Sequence, residues 1–195
     1  MAVQVTHASG RGDRVDSFSA ELSSFTDHLS VLAPRSLAAL RPPAPRPALE
    51  EACRELGVRP APDLVHLYRA HDGAEASEAG WFLPSERRLL PLMDARAVGR
   101  RLTAMIDGED VLGTWWHPQW FPFAANHDAW SVEFVDLREG SAFGSVGSFF
   151  GEGASPGIWP SLGAYFKELT RALEGGDAPI QRRTPVVKDD VLSWE

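Results

Sequence analysis

Cysteine, lysine and long apolar runs are scarce in this chain, and each scarcity excludes something. Cys53 is the sole cysteine in 195 residues, so no intrachain disulfide can form and a secreted disulfide scaffold is excluded. On the apolar side of a helical stretch, it reads as small core filling. Lysine occurs only at Lys167 and Lys188, the other bases being arginine; with abundant Ala, Gly and Pro, that usage suits a GC-rich bacterial genome. No window approaches about 18 uninterrupted apolar residues, so no membrane span is expected. The opening "MAVQVTHASGRGDRVDS" has neither a basic leader nor a long apolar region, and the expected location is the cytoplasm.

Catalytic signatures are missing as well. No G-x-x-x-x-G-K-S/T or G-x-G-x-x-G loop occurs, no G-x-S-x-G elbow and no H-E-x-x-H pair. Basic charge is also short: 27 acids against 19 bases leave a net charge of −8. Phosphate binding calls for clustered Lys and Arg, so nucleic acid is not an expected partner. A basic protein is compatible with the acidic balance, which steers encounter, although solubility accounts for it as well.

What is present suits one globular domain with tails: 44% of residues are hydrophobic and 24% charged, enough for a sizeable core. Residues 1–16 read as a flexible tail. Phe18, Leu22, Phe25, Leu29 and Leu32 then recur at helical spacing, with Ser17 or Ser19 as cap and Pro34 as stop. "RPPAPRP" (41–47) is a stiff connector. Leu49, Ala52, Cys53 and Leu56 share the face of a second helix that Gly57 ends. Pro62 opens a third, with Leu64, Leu67, Tyr68 and His71 on one face and Asp72-Gly73 closing it. His66 and His71 read as helix-end histidines that bond carbonyls.

"GWFLPSERRLLPLMD" suits two short strands around a turn. Val98, Leu102 and Met105 mark a helix stopped by Gly108, and the acidic "DGED" behind it lacks the alternation of a calcium loop. In "AWSVEFVDLREG", Trp130, Val132 and Phe134 alternate with Ser131 and Glu133, predicting a half-buried strand, with "FGSVGSFFGEG" as its partner. "PSLGAYFKELTRALEGG" is the clearest helix, capped by Ser161, striped by Leu162, Phe166, Leu169 and Leu173, and ended by Gly175-Gly176. "RRTPVVKDDVLSW" is a turn between two extended pieces. The sum is an α+β domain over residues 17–176, a mainly antiparallel sheet flanked by N-terminal helices and a C-terminal helix. Residues 177–195 form an extension, a short strand or hairpin packed on the domain.

"TWWHPQWFPFAANHDAW" (114–130) holds four of the seven tryptophans. It is open to three readings: an aromatic binding site, a metal or catalytic site built on His117, His127 and Asp128, or core. The His and Asp spacing fits no recognised zinc pattern, and no metal or cofactor is expected. Glu133 and Asp136 stand at an odd offset, which points them to opposite faces of a strand and disfavours a carboxylate pair. Asp136, where the strand gives way to "LREG", is expected to fix a turn by bonding nearby amides. The tryptophans are expected to divide between core and surface. No catalytic residue emerges.

Within this stretch, "WWHPQWFPFAANHDAWSVEFVDL" resembles the aromatic–x–W–x–P–F–A pattern, followed by D and a strand ending in D-L, of Smi–Knr type domains. These belong to the SUKH superfamily, which includes fungal cell-wall regulators and many bacterial immunity proteins. "PALEEACRELGVRPAPDLVHLYRAHDG" is similar to the family's opening and "PSLGAYFKELTRALEGG" to its closing helix, so the likeness spans roughly Leu22 to Gly176. One departure stands out: Asp128-Ala129-Trp130 replaces the family's frequent Gly-Asp pair after that Asp. The resemblance implies a non-catalytic protein-binding module, an immunity protein that covers the active surface of a cognate toxin, with a basic toxin domain as the fitting partner. Asp72, Trp81, Trp116, Trp120 and Asp128 are then the partner-binding candidates, and Gly73, Pro122 and Asp136 the structural motif. The alternatives are a regulatory scaffold for an endogenous partner and a metal-dependent hydrolase using His117, His127 and Asp128.

Overall fold

The computed structural model describes residues 12–106, 114–175 and 180–195. In chain order they form α1 (Gly12–Leu32), α2 (Pro34–Ala38), α3 (Arg46–Glu55), α4 (Pro62–Ala70), β1 (Arg88–Leu89), α5 (Leu92–Ala104), β2 (Trp120–Ala125), β3 (Ser131–Asp136), β4 (Val146–Phe150), β5 (Gly153–Trp159), α6 (Leu162–Leu173), β6 (Pro185–Lys188) and β7 (Val191–Trp194). Strands β1 to β5 make one antiparallel sheet in sequential order, and β6–β7 is a separate hairpin. The class is α+β, with helices before and after the antiparallel sheet and the hairpin last in the chain.

Each helix follows from a stripe and a stop. Phe18, Leu22, Phe25 and Leu29 of α1 are buried, and Phe18 and Phe25 both meet Phe166 of α6 edge-on, at 5.8 and 5.4 Å between ring centres. The expected tail is corrected in part. α1 already starts at Gly12, because extending a nucleated helix costs little per residue; residues 1–11 lie outside the described residues. α6 starts where Ser161 Oγ accepts from the Ala164 amide at 3.1 Å, satisfying one of the four orphan donors of a helix N-terminus. The proposed Gly108 stop and the "DGED" stretch fall outside the described residues, as does Gly176.

"GWFLPSERRLLPLMD" departs from the expected strand pair. Leu83 and Arg87 form an isolated bridge, β1 spans only two residues, and Leu92 and Met93 open α5. Pro91 ends the extended run, and Asp72 Oδ1 accepts from the Leu92 amide at 2.8 Å, bonding a first-turn donor that a strand would have used otherwise.

The sheet has two covered faces. Pro122, Phe134 and Phe149 look toward α5 and the tryptophan loop, where Gly99 of α5 comes close enough that a Cβ would lie 3.5 Å from the Pro122 ring. On the other face Phe121 meets Tyr68 of α4 and Phe123 meets Tyr165 of α6, at 6.1 and 5.7 Å. The half-buried strand expected at β3 is therefore corrected: all of Ser131–Asp136 is buried. Trp130, expected inward, precedes the strand and is 48% exposed. Close approach demands glycine at position 147, where a Cβ would stand 2.4 Å from the Phe134 ring.

The β6–β7 hairpin docks on this body. Ile180, Leu192 and Trp194 are buried, Trp194 Nε1 donates to the Phe82 carbonyl at 2.7 Å, and the Leu192 amide donates to Ser36 Oγ at 3.0 Å. No described helix is long and apolar enough to cross a membrane.

Candidate functional site

The aromatic segment resolves tryptophan by tryptophan. Trp116 packs edge-on against Trp120, Phe134 and Phe149, and Trp120 stacks on Phe134 with 4.3 Å between ring centres. Both tryptophans are sealed from solvent, so as surface anchors they are corrected: they are core. Each contributes several kcal/mol at about 25 cal/mol per Å² of apolar surface. Trp115 is half-buried and Trp130 exposed, so the four divide as expected. Pro122 is buried inside β2 at its register shift, facing α5.

The other expected motif residues carry bonds of their own. Gly73 has φ +72°, and a Cβ there would lie 2.3 Å from the Pro91 nitrogen, so only glycine fits. Its neighbour Asp72 holds the start of α5, as described. Asp136 is buried; its Oδ1 accepts from the Arg138 amide at 3.0 Å, and its carboxylate is gripped by the Arg138 guanidinium, the shortest contact being 2.6 Å. This fixes the turn after β3 and sets the Arg138 guanidinium 5.3 Å from the Trp120 ring centre.

Histidine placement disperses the suggested metal set. His117 Nδ1 accepts from the Gln119 amide at 3.1 Å, and burial, with Arg138 adding to it, lowers its pKa against the pull of Asp136. His127 instead stands beside Trp81, 6.2 Å between rings. Among the described residues no three His, Cys, Asp or Glu side chains converge as a ligand set. Cys53 is buried, and burial pushes its thiol up to about 12, which removes it as a nucleophile.

A polar cluster that sequence reading missed lies on the helix-facing side of the sheet. Arg87, just before β1, donates from Nε to Ser131 Oγ at 2.7 Å, from Nη1 to Glu133 Oε1 at 2.5 Å and to Gln181 Oε1 at 2.9 Å, and from Nη2 to Ser148 Oγ at 3.3 Å. Gln181 Nε2 closes the ring onto Glu133 Oε1 at 2.7 Å. Glu133 Oε2 and the nearby Tyr165 hydroxyl have no hydrogen-bond partner among the described residues. Its one signal in sequence was the polar alternation Ser131, Glu133 within an apolar strand. The network ties the segment carrying the hairpin to the sheet; Arg87 and Glu133 are sealed from solvent, and Gln181 at its edge is half-buried.

The open site lies at the tip of that hairpin. A cleft of about 570 Å³ is walled by Glu78, Trp81 and Glu86 on one side, the Asn126–Asp128 turn on a second and Lys188, Asp189 and Val191–Ser193 of the hairpin on a third. It brings together two of the expected contact residues, Trp81 and Asp128. Trp81 is half-buried, and the Arg88 guanidinium lies 5.4 Å from its ring centre, itself paired with Asp94 at 2.6 Å. Glu78, Glu86, Asp128 and Asp189 line the cleft against Lys188 and His127, and none of these six forms an ion pair among the described residues.

Three turns bring Glu86, Asp128 and Asp189 there through left-handed backbone at non-glycine residues: Ser85 and Glu86 (φ 61° and 54°), Ala129 (53°), and Asp189 and Asp190 (50° and 62°). Such residues persist only where surroundings over-determine them. Around Asp189-Asp190 the brace is α2, whose Arg35 donates from its amide to the Asp190 carbonyl at 3.1 Å and from its guanidinium to the Asp189 carbonyl at 3.2 Å. At Ala129 it is Arg101 of α5, donating to the carbonyls of Asp128 and Ala129 at 2.8 and 3.1 Å. Chemically the cleft offers an aromatic face and negative charge without ion pairs among the described residues, a setting for a cationic side chain. Compared with known proteins, the chain matches no family model and no curated protein.

Proposed function

We propose that the chain is a non-catalytic protein-binding module of SUKH kind, an immunity protein that neutralises a cognate toxin by holding its basic surface at the hairpin cleft. The observation that carries this reading is the convergence of half-buried Trp81 with four carboxylates that lack ion pairs. Like charges gathered in one cleft repel one another, and a partner's Lys or Arg relieves that repulsion on docking. The net charge of −8 adds long-range steering toward a basic partner. Aromatic anchors beside charge are also what binding hot spots use. A cytoplasmic bacterial setting belongs to the same reading.

The test pairs the chain with the basic proteins that co-purify with it from its own cells. Each is expressed alone and together with the chain, as wild type and as Glu78→Gln/Glu86→Gln/Asp128→Asn/Asp189→Asn. A partner lethal alone, harmless with the wild type and lethal again with the variant is the expected result. Protection that survives all four substitutions overturns the cleft, and partners harmless on their own point to the regulatory scaffold instead.

A further inference from the structure

A second surface runs against the charge of the whole. Between α1 and α4 lies a groove of about 270 Å³ whose polar lining is Ser19, Ser23, Thr26, His66, Arg69 and His71, with no carboxylate among the lining residues. Local order produces it. Ser19, Ser23 and Thr26 follow one another at helical spacing and so share a face of α1. His66 and Arg69 are three apart on α4, and His71 follows its last residue.

Both imidazoles are already oriented. His66 Nδ1 bonds the Pro62 carbonyl at 3.0 Å, and His71 Nδ1 bonds the Arg41 carbonyl at 3.2 Å. A carbonyl only accepts, so Nδ1 carries the proton on each ring and Nε2 is left over. Neither Nε2 has a partner among the described residues, and Arg69 forms no ion pair among them. Of the acids nearby along the chain, Asp72 bonds the Leu92 amide at 2.8 Å, Asp63 accepts from the Gly163 amide at 3.5 Å and Glu21 pairs with Lys167 at 4.0 Å, while Asp27, beside Thr26, is exposed and does not line the groove.

We propose that this groove is a binding site for a small phosphate monoester or inorganic phosphate, held by the Arg69 guanidinium and the hydroxyls of Ser19 and Ser23, with the rings of His66 and His71 lining it. A tetrahedral oxyanion presents several acceptors at once, which suits a guanidinium fork and hydroxyls better than a single carboxylate does. The carbonyl end of α4 at Ala70 opposes an anion, so the helix itself gives no help. Binding therefore rests on Arg69 and on the two serine hydroxyls. Thr26, whose hydroxyl bonds the Ser23 carbonyl at 2.9 Å, closes the far wall.

The experiment titrates the full chain with inorganic phosphate and, separately, with glycerol phosphate, at constant ionic strength set by chloride. Imidazole resonances of His66 and His71 report occupancy. Saturable shifts at both rings are expected, with a single midpoint shared by the two. A tighter fit for glycerol phosphate identifies an ester as occupant, and equal affinity identifies the free ion. Arg69→Gln and Thr26→Glu should each abolish saturation while leaving amide resonances elsewhere unmoved. Linear shifts with both probes overturn the site, as does saturation that persists in the two variants.

Discussion

Arg87 Nη1 donates to Glu133 Oε1 across 2.5 Å, and solvent reaches neither side chain. The pair joins the start of β1 to the middle of β3, and Gln181 extends it to the segment leading into the hairpin. Removing one member strands the other as a buried charge, which costs about 3–5 kcal/mol. Glu133→Ala should therefore lower the urea midpoint by that equivalent. Arg87→Met with Glu133→Leu should recover only part of it, since Ser131, Ser148 and Gln181 then lose the donor they share. A double variant no better than Glu133→Ala refutes the pairwise account.

Burial pushes Glu133 up from its ordinary 4.5 to about 7, with Arg87, Gln181 and Ser148 holding the rise in check. Between those values the native state binds a proton that the unfolded chain has released. By linkage, stability from this group is fully present below about pH 4.5 and is lost as pH rises through about 7. Glu133→Gln cannot titrate. Comparing unfolding free energies of wild type and Glu133→Gln at about pH 5 and about pH 8 isolates the effect. Wild type should lose ground to the variant at the higher pH; a difference that stays flat rules out the raised titration.

Four tryptophans within 17 residues perform different work, and stability measurements separate them. Trp116 is sealed among Trp120, Phe134 and Phe149, so Trp116→Ala leaves a cavity and should cost about 3–5 kcal/mol. Trp130 stands 48% exposed and covers Gly151, where a Cβ would fall 2.1 Å from its ring. Trp130→Ala should cost under about 1 kcal/mol. Equal losses in urea unfolding refute this division.

These contrasts locate what was legible beforehand. α6 is written locally: a Ser161 cap, a stripe through Leu162, Phe166 and Leu169, and a glycine after it, so its fold follows from neighbours three and four residues away. The polar side of β3 is not local. Whether Ser131 and Glu133 face water depends on Arg87, 44 and 46 residues upstream, and on Gln181, 48 downstream of Glu133. Trp81 and Asp128 were readable as candidates because they sit in polar, turn-rich sequence. The hairpin wall that makes a cleft of them was not, since its docking rests on Trp194 and Leu192 meeting Phe82 and Ser36 across more than half of the chain. Trp116 and Trp120 look no different in sequence from Trp130, and only packing tells them apart.

Ala129 offers the sharpest test of the turn beside the cleft. Its φ of 53° lies in the left-handed region, which costs an L residue with a Cβ roughly 1 kcal/mol. The turn holds it there because Asp128 Oδ1 accepts from the Trp130 amide at 3.0 Å, Asn126 Oδ1 accepts from the Ser131 amide at 2.9 Å and Arg101 grips two carbonyls. Glycine adopts this backbone without a steric penalty but leaves more freedom in the unfolded chain. The two effects oppose, and relief of strain is the larger where the turn is this firmly bonded. Ala129→Gly should therefore raise stability by up to about 1 kcal/mol, while Ala129→Val, β-branched and less able to adopt this φ, should lower it. Loss of stability in the glycine variant would mean that the turn bonds, and not the Cβ, set the local energy.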